Sequence, residues 1–285
     1  MTDTNQPKKP SSLRQRVSTA LVLVAGLLAL LFVRGWPAAI AAGACIGLSA
    51  YEELKALKTR GHRPVWWPSF ASLLIAAPLV ILRSHEAGLM VMFGCCFGIA
   101  LCVMCREKPD LLDIVVSALP VLTVVLPGVC LLGLLNTQPE ALQVMLLVMV
   151  FTVSIGGDTA AYFVGSNVGG PKLCPAISPN KTISGAIGGL FGSVALTVLA
   201  GVVFGWMYPD FTGFPPLWAN ALVGLLAGVA AQVGDLFASM VKRYCGIKDF
   251  GHLFPGHGGM LDRMDSILFT AIVIYCYRVI LLGLG

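Results

Sequence analysis

Long apolar segments separated by short polar loops dominate this sequence, and they leave few folds open to it. Hydrophobic residues make up 57% of the 285 residues, and charged residues only 12%. A soluble domain typically carries about 25% charged residues, and a globule of this size could not bury so much apolar surface. Because about 20 apolar residues span a bilayer as a helix, the chain is predicted to be an all-α, polytopic integral membrane bundle.

Nine of the segments are predicted to be transmembrane helices. Their approximate bounds are 13–33, 37–57, 66–83, 87–105, 112–135, 141–164, 183–207, 217–244 and 262–283. The first follows a basic start and is interpreted as a membrane helix rather than a cleaved signal peptide. Pro120 and Pro127 lie inside the fifth segment and predict a kink or a half-length helix there.

The polar and apolar blocks also suggest a division of the chain. Residues 1–12 are polar and are expected to be a disordered cytoplasmic N-terminus. Residues 13–135 would form the N-terminal transmembrane helices. Residues 136–285 would form the C-terminal helices, which carry the polar loops described below.

The distribution of positive charge predicts the orientation. With the N-terminus in the cytoplasm, all of the 19 lysines and arginines except Arg34, Arg83 and Arg278 fall on the inner side. A missed or extra helix would invert every later loop, so this asymmetry also supports the count of nine. The net charge of +5 is explained by this bias and by attraction to anionic lipid, and it does not indicate a nucleic-acid partner.

Charge within or beside membrane segments is costly and therefore marks candidate functional positions. The first four segments carry little of it, and three later places are dense. At the end of the sixth segment, Asp158 follows two glycines inside an apolar run. It either hydrogen-bonds within the bundle or faces a hydrophilic cavity.

The loop at 165–185 is the second such place, and it is rich in Gly, Ser, Thr and Lys. Small residues expose backbone N–H groups, and a helix is predicted to begin just after Thr182. N–H donors, a helix N-terminus and lysine charge together suit phosphate. The spacing is not that of a P-loop, and an ordinary polar inner loop is the alternative. The candidate phosphate ligands are Lys172, Ser178, Lys181 and Thr182.

A polar stripe at the end of the eighth segment is the third place. Asp235, Ser239 and Arg243 recur every four residues, and Gln232 precedes Asp235 by three. On a helix these side chains share one face. Such a stripe, descending from membrane depth to the cytoplasm, is typical of the wall of a water-accessible cleft.

The loop that follows leads into the last helix through residues 257–265, HGGMLDRMD. Asp262 and Asp265 lie at the start of that helix, where the macrodipole alone would favour carboxylates. Helix capping does not explain Asp235, which lies at membrane depth in the adjacent helix. Asp235 and Asp262 could together hold a hard divalent cation. Zinc fits less well, because His252 and His257 lack a matching ligand set. His257 lies between two glycines and near the paired aspartates, and it is interpreted as functional.

These residues resemble a known family. Residues 239–265, SMVKRYCGIKDFGHLFPGHGGMLDRMD, look like the full signature of bacterial-type phosphatidate cytidylyltransferases, also called CDP-diacylglycerol synthases. Residues 157–162, GDTAAY, and 178–185, SPNKTISG, resemble the family's other polar blocks. Asn180 departs from the pattern, because the family often has a second lysine there. The resemblance covers about the C-terminal 130 residues specifically.

The resemblance implies an activity. CTP and phosphatidic acid would give CDP-diacylglycerol and pyrophosphate, with Mg²⁺ required, as an early step of phospholipid biosynthesis. It also implies an all-helical enzyme of the bacterial inner membrane, a homodimer whose site faces the cytoplasm. Family precedent places the metal between Asp235 and Asp262. Whether a monovalent cation joins that metal is left open.

The same reading assigns roles to individual residues. Phosphoryl-type transfer depends on positioning and charge neutralisation more than on covalent chemistry. The predicted catalytic set is Asp235, Asp262, Asp265, Lys242, Arg243 and His257. Predicted contacts to substrate phosphate come from Lys172, Ser178, Lys181, Thr182, Ser239, Lys248, Arg263, Gly258 and Gly259. Asp158 and Asp249 are assigned to the rest of the polar cleft.

Two other classes of protein are weighed against this one. A transporter or channel would also have many helices with charge at depth, but its charges would gather near the midplane and its helices would break in two corresponding halves. A CDP-alcohol phosphotransferase would carry a D-G-x-x-A-R motif, which this sequence lacks.

Overall fold

The computed structural model describes residues 35–82, 85–254, 256 and 258–283. The segment predicted at 13–33 and the functional prediction for His257 lie outside these residues. The helices are α1 (Trp36–Lys58), α2 (Trp67–Ile81), α3 (His85–Met104), α4 (Leu111–Pro120), α5 (Leu126–Leu135), α6 (Glu140–Phe151), α7 (Gly157–Val168), α8 (Ile183–Met207), α9 (Leu217–Cys245) and α10 (Leu261–Gly283).

Six stretches of the described chain are long and apolar enough to cross a membrane. They are Glu86–Met104, Leu111–Leu135, Glu140–Val168, Ile183–Met207, Leu217–Cys245 and Leu261–Gly283. Helix α2 is apolar but has only 15 residues. Helix α1 has 23 residues, but four of the last seven are charged. The prediction of a polytopic helical membrane bundle is therefore confirmed, while the count of nine spans stays a prediction.

Two of the spans contain a π-helical turn. Val121–Val125 joins α4 to α5, between the two prolines of the fifth predicted segment. Proline removes a backbone donor, so the hydrogen-bond ladder must shift around it. The predicted irregularity is thus a π turn inside one continuous span. A second π turn, Thr152–Gly156, joins α6 to α7 just before Asp158, and the sequence analysis did not anticipate it.

A short β-hairpin interrupts the otherwise helical chain. Strands β1 (Lys172–Cys174) and β2 (Ser178–Thr182) pair antiparallel, with Lys172 opposite Thr182. This stretch was predicted to be a loop, so the hairpin corrects that local prediction, while the helical fold class stands. The start of α8 was predicted correctly: Thr182 is its N-cap, and its hydroxyl accepts a hydrogen bond from the Gly185 N–H at 3.1 Å.

Small residues bring α8 close to its neighbours α7 and α9. A Cβ added at Gly192 would lie 2.6 Å from the Ala160 Cβ, and one added at Gly228 would lie 2.8 Å from the Ser193 Oγ. Close backbone approach through small residues is the usual packing mode of membrane helices. This close packing of α8 against α9 holds the hairpin that precedes α8 beside the end of α9.

Loops that the charge count assigned to the inner side meet at one end of the bundle. They are the stretches at 59–66, 169–182 and 246–260. Arg60 donates through its Nε to the carbonyl of Tyr244, at the end of α9. Arg243, one residue earlier, donates to the carbonyl of Ile177 in the hairpin turn at 3.4 Å. The three stretches therefore form one continuous polar surface.

Buried polar pairs tie the helices together at the opposite end. Arg278 is 6% exposed, and its Nε donates to the Thr137 hydroxyl at 3.0 Å. The Tyr277 hydroxyl donates to the Asn220 Oδ1 at 2.8 Å. A buried polar group must be paired to avoid a desolvation penalty, so these contacts stabilise the packing of α10 away from the site.

Candidate functional site

Two lysine–aspartate ion pairs mark the site. Lys181 of β2 pairs with Asp235 of α9. Lys242, two turns further along α9, pairs with Asp262 at 2.8 Å, at the start of α10. Each pair joins two different secondary-structure elements. Together they bring the hairpin, α9 and α10 around one charged region.

Asp262 is held in place by the loop that precedes it. Its Oδ2 accepts hydrogen bonds from the Phe250 N–H at 2.8 Å and from the Gly259 N–H at 2.9 Å, while its Oδ1 faces Lys242. Gly258 has a φ of 83°, and a Cβ there would lie 2.7 Å from the Asp262 Oδ2. A side chain at 258 would thus be strained and would crowd the carboxylate. The loop is built around this aspartate.

Three residues of the α9 polar stripe contact the hairpin or the start of α8. They therefore share one face, as the spacing predicted, although the elements that they contact were not predicted. Gln232 donates through its Nε2 to the Ala186 carbonyl at 2.9 Å, Asp235 pairs with Lys181, and Arg243 reaches the hairpin turn. Because the stripe contacts another element, it forms one wall of the site.

Asp158 and Asp265 add two carboxylates beside Asp235. Asp265 lies close enough to Asp235, Asp158 and Lys242 for their charges to interact, and Asp158 interacts with Asp235 and Lys181. The Ser266 hydroxyl donates to the Asp158 Oδ2 at 3.5 Å. The structure therefore brings together three of the predicted acidic residues, with the two lysines nearby.

The remaining predicted residues lie around this centre. Ser178 and Ser239 are partly buried, and Gly259 is buried beside Asp262. The others are exposed at the same end of the bundle. They are Lys172, Arg243, Lys248, Asp249 and Arg263.

Two acidic residues of α1 that were not predicted as site residues belong to the site region. Glu52 is 5% exposed, and its Oε2 accepts a hydrogen bond from the Leu261 N–H at 2.9 Å. Glu53 is 1% exposed and accepts a hydrogen bond from the Thr123 hydroxyl at 2.9 Å. It also lines a cavity together with Asp265. Two adjacent acids at the end of an apolar segment were the available signal.

The donor set near Asp235 suits a hard divalent cation. Asp235 and Asp262 each already face an ammonium group, and the charges of Asp158 and Asp265 add to that of Asp235. Carboxylate oxygens are the ligands that Mg²⁺ prefers, with water and substrate phosphate completing its shell. Within the described ranges, neither Asp235 nor Asp262 belongs to a group of three potential ligand atoms that lie within 4.8 Å of one another.

One other group of potential ligands lies in the described part of the chain. His62, Asp110 and Asp113 come within the mutual distance that a shared ion would need. Asp113, however, already pairs with Arg106 at 2.7 Å and accepts the Arg63 N–H at 2.9 Å. These contacts satisfy the carboxylate and explain the cluster as a structural link between two loops.

The two hairpin lysines offer a test of this geometry. Lys181→Met is expected to lower turnover by about 10- to 100-fold, because it removes a positive charge that meets Asp235 inside the site. Lys172 was also predicted to bind phosphate, but the structure leaves it exposed on the neighbouring strand, outside the two ion pairs. Lys172→Met should therefore cost less than about threefold. The measurement is kcat for each purified variant in detergent. Equal losses in both would contradict the assignment of Lys181 to the centre.

Fold and site define a class of protein: an integral membrane helical bundle with an aspartate- and lysine-lined site at one end of its last helices. The sequence model of the cytidylyltransferase family matches residues 14–281. Because this match covers nearly the whole chain, the protein belongs to the cytidylyltransferase family.

Curated relatives agree with this family. The phosphatidate cytidylyltransferase of Brucella suis biovar 1 (strain 1330) is 43% identical over 134 residues, 47% of each chain. That of Synechocystis is 42% identical over 147 residues, 51% of this chain and 47% of the relative. That of Staphylococcus saprophyticus is 36% identical over 168 residues, 59% of this chain and 60% of the relative. The chain thus spans about half the length of the first two relatives.

Proposed function

We propose that this protein is a phosphatidate cytidylyltransferase, which makes CDP-diacylglycerol and pyrophosphate from CTP and phosphatidic acid. The supporting observation is that two ion pairs lie at one end of the membrane-spanning helices: Asp235 with Lys181, and Asp262 with Lys242. Carboxylates suit a metal ion, and ammonium groups suit phosphates. A site at the end of membrane spans is accessible both to a lipid acid and to a water-soluble nucleotide.

The reaction needs no covalent intermediate on the protein. A phosphatidate oxygen forms a bond to the α-phosphorus of CTP. The bond from that phosphorus to the oxygen that bridges to the β-phosphate breaks, and its electron pair leaves with pyrophosphate. The developing charge lies on phosphate oxygens, so catalysis depends on positioning the two substrates and on neutralising that charge.

Mg²⁺ is proposed as the cofactor, held by Asp235 and Asp262 with Asp265 in support. When bound, it would supply Lewis-acid neutralisation of phosphate charge. Lys181 and Lys242 already face these carboxylates, so they are placed to move onto substrate phosphates and to hold them. The exposed basic residues nearby, Arg243 and Arg263, would then bind the remaining phosphate charge.

The wider arrangement is proposed on sequence grounds. We infer nine transmembrane helices, a cytoplasmic N-terminus, a site that faces the cytoplasm at the bacterial inner membrane, and a homodimer in membrane lipid. The positive-inside bias supports the orientation. The contact between the three loops at one end of the bundle is consistent with it. The division at residues 135 and 136 also stays a prediction.

One assay tests the proposed function. Purified protein in detergent is supplied with phosphatidic acid, Mg²⁺ and each of the four NTPs in turn, and lipid products are separated. We expect CDP-diacylglycerol with CTP, little product with the other three, and no turnover after removal of divalent metal with EDTA. Use of a different nucleotide would overturn the substrate assignment. After reconstitution into sealed vesicles, ion or solute uptake without nucleotide consumption would point instead to transport.

A further inference from the structure

Helix α1 reaches into the site from the N-terminal half of the chain. Its Glu52 carboxylate is buried against the loop at 246–260, which leads to Asp262. Besides accepting the Leu261 N–H, it interacts with the backbone of Met260 and with the charges of Asp262 and His252. A buried carboxylate that accepts backbone N–H groups fixes the position of the chain that donates them.

The glycines of this loop fit Glu52 closely. A Cβ added at Gly251 would overlap the Glu52 Oε1, and one added at Gly259 would overlap the Glu52 Oε2. Neither glycine has a positive φ, so neither is required by backbone conformation. The space taken by the carboxylate is what excludes a side chain at both positions. The loop backbone therefore passes directly over Glu52.

Two carboxylates hold this loop at neighbouring backbone positions. The N–H of Gly259 donates to Asp262, while the N–H of Leu261, two residues later, donates to Glu52. A shift of the loop away from Glu52 would therefore also disturb the hydrogen bonds that orient Asp262. Because these groups share one short backbone segment, the two carboxylates are mechanically linked.

The same N-terminal element also holds the other end of the loop. Helix α9 ends at Cys245, and its last carbonyls would otherwise lack helical partners. The Thr59 hydroxyl donates to the Cys245 carbonyl at 3.4 Å, and Arg60 donates to the Tyr244 carbonyl. Helix α1 and the turn after it thus contact both the start and the end of the loop.

We propose that Glu52 is a positioning residue: it holds the loop backbone at Gly251, Gly259 and Leu261 so that the Asp262 carboxylate is correctly oriented. This inference rests on the proposed function for its activity readout. It gives the N-terminal helices a role in the reaction that the motif-bearing C-terminal half does not reveal.

The first test compares Glu52→Ala with Glu52→Gln. Misplacement of a reacting group by about 1 Å can cost about 100-fold in rate. Glu52→Ala is therefore expected to lower kcat by about 10- to 100-fold, with the KM for CTP changed less than about threefold. Glu52→Gln keeps an acceptor for the Leu261 N–H and should recover most of the rate. If Glu52→Ala keeps the wild-type kcat, the proposal fails.

Hydrogen exchange provides a readout that does not depend on activity. In Glu52→Ala, amides in peptides covering residues 258–264 should exchange faster, while those of the hairpin at 172–182 keep the wild-type rate. Glu53→Ala serves as the matched control and should leave exchange at residues 258–264 unchanged, because the hydrogen bond described for this neighbouring buried acid is with Thr123 rather than with the loop. Faster exchange throughout Glu52→Ala would indicate general destabilisation and would overturn the positioning role.

A double-mutant cycle tests the contact itself. Gly251→Ala places a methyl group against the Glu52 carboxylate and should impair the enzyme. In a Glu52→Ala background the closest contact of that methyl group is gone and only the Gly259 Cα, at 3.1 Å, stays close, so the added effect of Gly251→Ala should fall by about tenfold. If the effects of Gly251→Ala and Glu52→Ala are strictly additive, the proposed contact between these two positions is wrong. If the wild type does not make CDP-diacylglycerol, the proposed function fails, and the exchange experiment still decides whether Glu52 positions the loop.

Discussion

Asp235→Asn is expected to lower the turnover of CTP and phosphatidic acid by about 1000-fold or more. The substitution keeps the size of the side chain but removes the charge that faces Lys181 and interacts with Asp158 and Asp265. Without that charge the proposed Mg²⁺ loses a ligand. Residual activity should therefore need a higher Mg²⁺ concentration, and a titration of kcat against free Mg²⁺ measures this.

Asp210→Asn is the matched control for this loss. Asp210 is exposed in the connection between α8 and α9, at the end of α9 opposite the site. The variant makes the same chemical change and should keep both the wild-type kcat and the wild-type Mg²⁺ response. Thermal unfolding in detergent checks that both variants are folded. Full activity in Asp235→Asn, with an unchanged Mg²⁺ response, would falsify the metal assignment.

Much of the site follows from local spacing along the chain. The two four-residue intervals from Asp235 through Ser239 to Arg243 predict one helical face, and the structure finds Asp235 and Arg243 in contact with the hairpin. The capping signal at Thr182 likewise predicts where α8 begins. Both features depend on residues within one or two helical turns, so periodicity and local hydrogen bonding are enough to reveal them.

Features that depend on distant parts of the chain could not be predicted in the same way. Glu52 and Leu261 are 209 positions apart, and no periodicity relates them. The pairing of Lys242 with Asp262, rather than with Asp235 on its own helix, depends on how α9 packs against α10. The hairpin strands are too short and too polar to produce an alternating apolar pattern. In each case tertiary packing decides the contact.

The second large effect is expected at Asp262, where two substitutions separate charge from structure. Asp262→Ala removes both the partner of Lys242 and the acceptor for the N–H groups of Phe250 and Gly259. Asp262→Asn keeps an amide oxygen that can accept those two N–H groups, but it removes the charge. Because the proposed reaction needs the charge, both variants should lose activity by about 1000-fold or more.

The two variants should differ in the order of the loop. In Asp262→Ala, peptides covering residues 246–261 are expected to exchange amide hydrogens faster, because two buried N–H groups lose their acceptor. In Asp262→Asn these peptides should exchange at nearly the wild-type rate, even though the enzyme is inactive. Such a result would show that the loop is held by hydrogen bonds to residue 262 and that catalysis depends on its charge. An active Asp262→Asn variant would instead limit Asp262 to holding the loop and would leave Asp235 and Asp265 as the metal ligands.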